Sequence, residues 1–239
     1  MIIPILEFSL YPLFIVAIIF SLYAQVKIST TFNKYSKIPT RAGMNATDIA
    51  RMMLTKAGVH YVSIGRVRGN LTDHFDPRSN TLALSDTTYA SYSAAAIGVA
   101  AHEAGHAIQH AEGYFPIKLR GALVPATRFA SKVSWIFILL GIFIGMLGES
   151  LGIGYYILLA GVGLFGITTL FQLVTLPCEF NASRRAMQAL TECGYYTDDE
   201  LCAAKKVLSA AAMTYIAATF VSAVQLLRLL LLVRRNDRR

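Results

Sequence analysis

The chain has 239 residues, of which 55% are hydrophobic and 15% charged, with a mean hydropathy of +0.50. Globular domains carry roughly 45–50% apolar and about 25% charged residues, so the composition excludes an ordinary soluble domain and indicates membrane helices. The net charge of +8 would suit nucleic acid or an anionic membrane, but Lys27, Lys34, Lys37, Lys132, Lys205 and Lys206 flank apolar runs and no basic stretch is interleaved with aromatics, which argues against a nucleic-acid partner.

Ile2–Ala24 is the first apolar run. It lacks a basic leading region and a small-residue cleavage site, and about 20 residues span a bilayer core, so residues 1–26 are expected to form a retained transmembrane helix. Residues 27–118 have ordinary soluble composition and make up most of a segment, 27–124, expected to carry the active-site helix. Thr47–Ala57 predicts a helix stopped by Gly58, Val59–Val67 a short strand, Leu71–Arg78 a turn-rich stretch, and Asn80–Ser85, with its Leu82/Leu84 alternation, a second strand. From about Thr87 to Glu112 an alanine-rich, proline-free stretch predicts one long helix (87–112), ended by Gly113 with Pro116 beyond. Its small residues suit close packing against a neighbour.

Residues 125–176 predict a transmembrane hairpin, with runs at Val133–Leu147 and Gly152–Leu176 joined by a turn at Gly148-Glu149-Ser150. The segment 177–207 is polar again. Residues 208–239 carry a fourth apolar run, Leu208–Val233, expected to span, and a basic tail. The segments 27–132 and 177–207 hold 13 and 4 Lys/Arg, the turn none, which predicts a multi-pass plasma-membrane protein with both polar segments in the cytoplasm. The arginine-rich tail opposes that topology if the fourth run spans. Cys178, Cys193 and Cys202 are odd in number and lack a CxxC spacing, so they form neither a disulfide framework nor a thiolate zinc site.

His102-Glu103-Ala104-Gly105-His106 matches the zinc-peptidase pattern HExxH. Residues four apart on a helix differ by ~40° in direction and ~6 Å in height, so two imidazoles can converge on one ion. Glu103 points ~100° away, where it suits a water better than the metal. One zinc ion per chain is the expected cofactor, with Glu103 as the general base. His110 lies ~12 Å beyond His102 along the helix and cannot share that ion. Gln109 and Glu112 occupy the Gly and last His positions of HExxHxxGxxH, so His110 is expected at the rim or behind a ligand.

A catalytic zinc site takes a third protein ligand and keeps a position open for water. Glu179 follows a membrane run, where an acidic residue is costly without a partner, and the hairpin returns it to the side of His102 and His106. The competing reading is a surface glutamate paired with Arg184 or Arg185. Glu192, Asp198, Asp199 and Glu200 suit a solvated turn and helix cap.

The chain resembles the YugP-like neutral zinc metallopeptidases of bacterial membranes. The likeness is carried by Leu71-Thr72-Asp73-His74-Phe75-Asp76-Pro77, by Leu82-Ala83-Leu84-Ser85, by Val99–Ala107 around the motif, by Glu179–Ala186 and by Ala212–Ala218. More distantly it is similar to membrane gluzincins of the HtpX type, whose third ligand is a glutamate opening an ExxxD pattern. The resemblance implies a mainly α fold, with integral membrane helices and a zincin-like core of active-site helix and small β element, and carries Glu179 over as third ligand. Ser183 stands where those relatives have aspartate, so Asn181 or Ser183 is the candidate to orient a ligand.

Tyr215 is a candidate oxyanion donor, although a packed aromatic accounts for it more simply. His74 and Asp76 suit a turn better than a cleft rim, and Leu82–Ser85 suits either a peptide-pairing strand edge or a structural strand. The expected activity is hydrolysis of a peptide or protein substrate at the membrane, with lipid as the other partner. A zinc-binding scaffold or chaperone-like factor, and a zinc hydrolase of lipid or peptidoglycan fragments, are the alternatives. An intact Glu103 argues against the scaffold.

Overall fold

A computed structural model describes residues 2–146 and 151–236. In chain order these form α1 (Ile2–Tyr35), α2 (Ala46–Lys56), β1 (Ser63–Val67), β2 (His74–Asp76), β3 (Thr81–Ser85), α3 (Ala94–Ala111), α4 (Phe115–Met146), α5 (Leu151–Glu192) and α6 (Asp198–Asn236). The fold is mainly helical with one small sheet. The turn expected at Gly148–Ser150 lies outside the described residues. Contacts divide the chain into two units: Met1–Tyr23, Leu119–Thr175 and Tyr215–Arg239 form the first, Ala24–Lys118 and Leu176–Thr214 the second.

α1, α4, α5 and α6 are long and apolar enough to cross a membrane, and each gives one end to either unit. Three of them outrun their apolar stretches. α1 continues to Tyr35 because nothing between Lys27 and Tyr35 breaks a helix. α5 runs past Pro177 to Glu192, since the missing N–H removes one hydrogen bond and leaves those of the flanking turns in place. α6 begins at Asp198, ten residues before its apolar run.

In the first unit α4 and α5 approach through glycines. A Cβ on Gly141 would lie 2.5 Å from the Leu158 backbone nitrogen, one on Gly154 2.8 Å from that of Gly145, and one on Gly161 2.7 Å from that of Ile138. Lipid gives apolar helices little reason to associate beyond dispersion, so small residues that admit close backbones are the available means. Ile138, Leu158 and Val162 pack there with Leu229 and Val233 of α6. Ile15, Ile19 and Leu22 of α1 and Leu139 and Phe143 of α4 stay exposed, as lipid-facing side chains do.

The second unit holds α2, the sheet and α3, closed by the adjoining ends of α1, α5 and α6. α2 starts at an Asn45/Asp48 capping box, and Gly58 follows its end at φ +71°. α3 starts at Ala94, seven residues after the expected Thr87. The intervening residues close into turns on the carbonyls of Ser85 and Thr88, and Ser93 caps the helix by accepting the Ala96 N–H at 3.2 Å.

The sheet order is β1-β3-β2, with β1 parallel and β2 antiparallel to β3. The stretch expected to be all turn therefore contains strand β2. Asp76 does close the turn after it, accepting from the Arg78 N–H and the Ser79 hydroxyl at 3.0 Å each. β3 is the central strand, so both of its edges are taken. That corrects the alternative in which Leu82–Ser85 pairs with a peptide.

Leu82 and Leu84 point into a core with Ile49, Met53, Ile97, Ala100, Ala104 and Leu190. α3 meets its neighbours through two glycines: a Cβ on Gly98 would lie 3.2 Å from the Ala204 Cβ, and one on Gly105 2.9 Å from the Ala182 carbonyl oxygen.

Two α5/α4 glycines test the packing account. Gly141→Ala forces backbone apart and should cost about 1–3 kcal/mol. Gly163→Ala, with nothing within 4 Å of the added carbon, should be neutral or stabilising by about 0.5–1 kcal/mol through helix propensity. Thermal unfolding of the detergent-solubilised chain separates the two, and equal shifts would refute the close approach.

Candidate metal centre

His102 and His106 lie one turn apart on α3, 8% and 7% exposed, with ring centroids 4.7 Å apart and planes at 84°. α5 crosses α3 where Gly105 abuts Ala182. One turn before that contact α5 presents Glu179, which is 2% exposed. Its Oε2 lies 3.2 Å from His102 Nε2 and 3.5 Å from His106 Nε2, and the three donor atoms fall within 4.8 Å of one another. Zinc bonds to nitrogen and oxygen of ~2.0–2.2 Å put tetrahedral donors about 3.3–3.5 Å apart. The two edges from Glu179 lie close to that spacing, and the three groups could hold zinc.

The hydrogen bonds around the site make the same point from charge. Gln109 Nε2 donates to the Cys178 carbonyl and to Asn181 Oδ1, both at 2.9 Å. Its Oε1 therefore faces His106 Nδ1, also at 2.9 Å. An amide oxygen only accepts, so Nδ1 carries a proton and Nε2 is the nitrogen turned towards Glu179. A proton or a metal ion between that nitrogen and the buried carboxylate oxygen satisfies both.

His102 is held similarly, with Ser183 Oγ 3.1 Å from its Nδ1. Asn181 is linked to His106 through Gln109. It accepts from Gln109 and from Arg185 Nε at 2.7 Å, and Arg185 grips Glu112 through two bonds of 3.0 and 2.7 Å. Arg185, a surface partner of Glu179 in the competing reading, is thus committed to Glu112, whose carboxyl it holds below the usual carboxylate range. The chain of contacts from His106 through Gln109, Asn181 and Arg185 to Glu112 fastens α3 to α5.

Glu103 is half-buried on α3 beside both histidines in sequence. His110 is exposed, its ring 5.8 Å from that of Phe75 on β2. Tyr215 is half-buried on α6, in the first unit. Glu192 pairs with Lys56 at the surface. Glu200 is buried at the start of α6, where it accepts the N–H groups of Arg41 and Thr197.

Gln109 is the residue that sequence reasoning missed. In the sequence it stands as a mismatch to a three-histidine pattern. Its position one turn after His106, with both an acceptor and donors on one side chain, is the signal the sequence offers; its full burial is seen only in the fold.

Residues 10–234 match the model of a family described as "Putative neutral zinc metallopeptidase". Over 218 residues the chain is 41% identical to the "Putative membrane protease YugP" of Bacillus subtilis (strain 168), a match that covers 91% of this chain and 93% of the relative. No solved structure matches the chain. The cofactor that goes with such a family is zinc, which the donor set of His102, His106 and Glu179 suits. With four helices able to cross a membrane and 225 of its residues within the family match, this chain belongs to the neutral zinc metallopeptidase family as a membrane protein.

Proposed function

We propose that the chain hydrolyses peptide bonds at a zinc centre held by His102, His106 and Glu179, with Glu103 as general base, in a gluzincin-like arrangement. The observation that carries this reading is the convergence of three donors, with the buried Glu179 oxygen 3.2 and 3.5 Å from the two imidazole Nε2 atoms. Zinc, when bound, supplies a Lewis acid that polarises a carbonyl and makes water easier to deprotonate. Glu103 takes the proton of the attacking water and delivers it to the departing amine nitrogen. Gln109 and Ser183 hold the histidine rings through their Nδ1 atoms, keeping both Nε2 atoms directed inward.

The zincin-like core of this proposal is the active-site helix with the three-stranded sheet. The outer edge of β2, which carries no strand partner among the described residues, is the edge an extended substrate would pair with. Phe75 of that strand packs on His110 of α3, which ties the edge to the metal helix. The proposed topology is multi-pass with the site on the cytoplasmic side. It rests on the 13 and 4 Lys/Arg of the two polar segments.

Glu103→Gln should retain one zinc per chain and lose about 10²–10⁴-fold in turnover of a model peptide. Undiminished cleavage sinks the mechanism. Gln109→Leu leaves the His106 Nδ1 proton and the Cys178 and Asn181 oxygens without their partner, and should weaken zinc binding about 10–100-fold in competition with a chelator; an unchanged affinity would show that the amide positions nothing.

The Arg185–Glu112 pair sets a pH dependence of stability. The folded carboxyl of Glu112 is depressed, so its contribution is complete above the ordinary carboxylate range and is lost as pH falls through the lowered folded value. Denaturation followed from pH 7 to 3.5 should show a steeper acid decline for the unmodified chain than for Glu112→Gln, and parallel curves would exclude the contribution.

A further inference from the structure

A second site lies in the same unit, between α1 and α6. The geometry points to a phosphate-recognising cleft that binds the headgroup of an anionic phospholipid. The cleft has a volume of about 800 Å³ and is lined from α1 by Lys27, Thr30, Lys34 and Tyr35 and from α6 by Lys205 and Lys206, with no carboxylate among its lining residues. None of these four lysines forms an ion pair among the described residues. Four like charges around one cleft repel each other unless an anion joins them. Two of them, Lys34 and Lys206, lie 5.5 and 5.8 Å from the Tyr35 ring centroid, so that one aromatic ring draws a cation from each helix towards a common point.

The position of the lysines argues for a lipid as the source of the phosphate. On α1, Lys27 directly follows an apolar run whose Ile19, Leu22, Tyr23 and Val26 are all more than half exposed. On α6, Lys205 and Lys206 stand just before Val207 and the apolar run Leu208–Val233. Both helices therefore change from basic to apolar at the cleft, as at the boundary between headgroups and hydrocarbon. An acyl chain leaving the cleft would meet the exposed apolar face of α1, whereas a free phosphate makes no use of that face. The inner faces of the same two segments, Phe32 and Val207, pack on Ala95 of α3. A bound headgroup would thus join α1 to α6 across the outside of the helix that bears the histidines.

The test uses the full-length, zinc-loaded chain in a non-ionic detergent, titrated with short-chain phosphatidylglycerol, short-chain phosphatidylcholine and inorganic phosphate. Phosphatidylglycerol should bind more tightly than either of the others, with an affinity that weakens as salt rises. Each of two double variants, Lys205→Gln with Lys206→Gln and Lys27→Gln with Lys34→Gln, should lose about 30-fold, from the two surface charges removed. Lys118→Gln with Lys132→Gln, two lysines outside the cleft, should change affinity less than threefold. Unaltered zinc content establishes that each variant is folded, and Lys→Arg at the same four positions should retain binding. Equal losses in cleft and control variants would overturn the proposal in favour of diffuse charge attraction. Inorganic phosphate binding as tightly as phosphatidylglycerol would overturn the lipid assignment.

Discussion

The metal centre depends on how closely α3 and α5 can approach. At their crossing the backbone of Ala182 occupies the space that a side chain at position 105 would need, with its carbonyl oxygen 2.9 Å from the place of a Cβ. Any larger residue would push the helices apart by a sizeable fraction of an ångström. Metal–ligand distances tolerate only ~0.2 Å, so a shift of that size would withdraw Glu179 from the two Nε2 atoms. The fourth residue of the HExxH motif is thus a packing requirement, and the chemistry of its flanking histidines rests upon it.

That crossing buries several polar groups, and burial is tolerable only where each finds a partner. An amide at position 109 meets the need in a way that a carboxylate or a hydroxyl could not. The His106 ring requires an acceptor, while the Cys178 carbonyl and Asn181 Oδ1 require donors. Glutamine supplies both from one planar group, and in doing so fixes which nitrogen of His106 is protonated. Arg185 extends the same logic outward, since its guanidinium satisfies Asn181 and ends on a carboxylate at the surface. Fixing the imidazoles before a metal arrives lowers the ordering cost of binding it.

Features confined to one helix were legible in the sequence. The i, i+4 spacing of His102 and His106 needs only helical geometry, and four apolar runs need only hydropathy and length. Contacts between elements were less so. Glu179 could be ranked above other carboxylates by its position after a membrane run, but nothing local told that Ala182 would lie against Gly105. β2 was hidden because three residues, His74-Phe75-Asp76, are too few for an alternation and are flanked by turn formers. The start of α3 was misplaced because Thr87–Tyr92 is compatible with helix by propensity. Its backbone groups are instead taken by turns and by pairing with 38–46, as in Ala46 to Ser91 and Thr40 to Tyr92. The long α5 outruns the expected run 152–176 because the composition turns polar at Pro177 without the helix ending there. In an apolar helix the alternative to a missing hydrogen bond is not a solvated backbone, so the helix continues.

On the proposed reading, three donors converge among the described residues and the fourth position of a tetrahedron is left to water or substrate. A purely structural zinc site would be held more tightly by a fourth protein ligand, whereas a catalytic one keeps a position for water or substrate. Nor does a structural site gain from Glu103, a carboxylate kept half-buried next to a ligand histidine when any helix-forming residue would satisfy the local backbone. Both features have a use only if a reacting group enters the open position and its proton must be received nearby. On that reading, a three-ligand site with a carboxylate beside it suits turnover better than scaffolding, whatever the substrate proves to be.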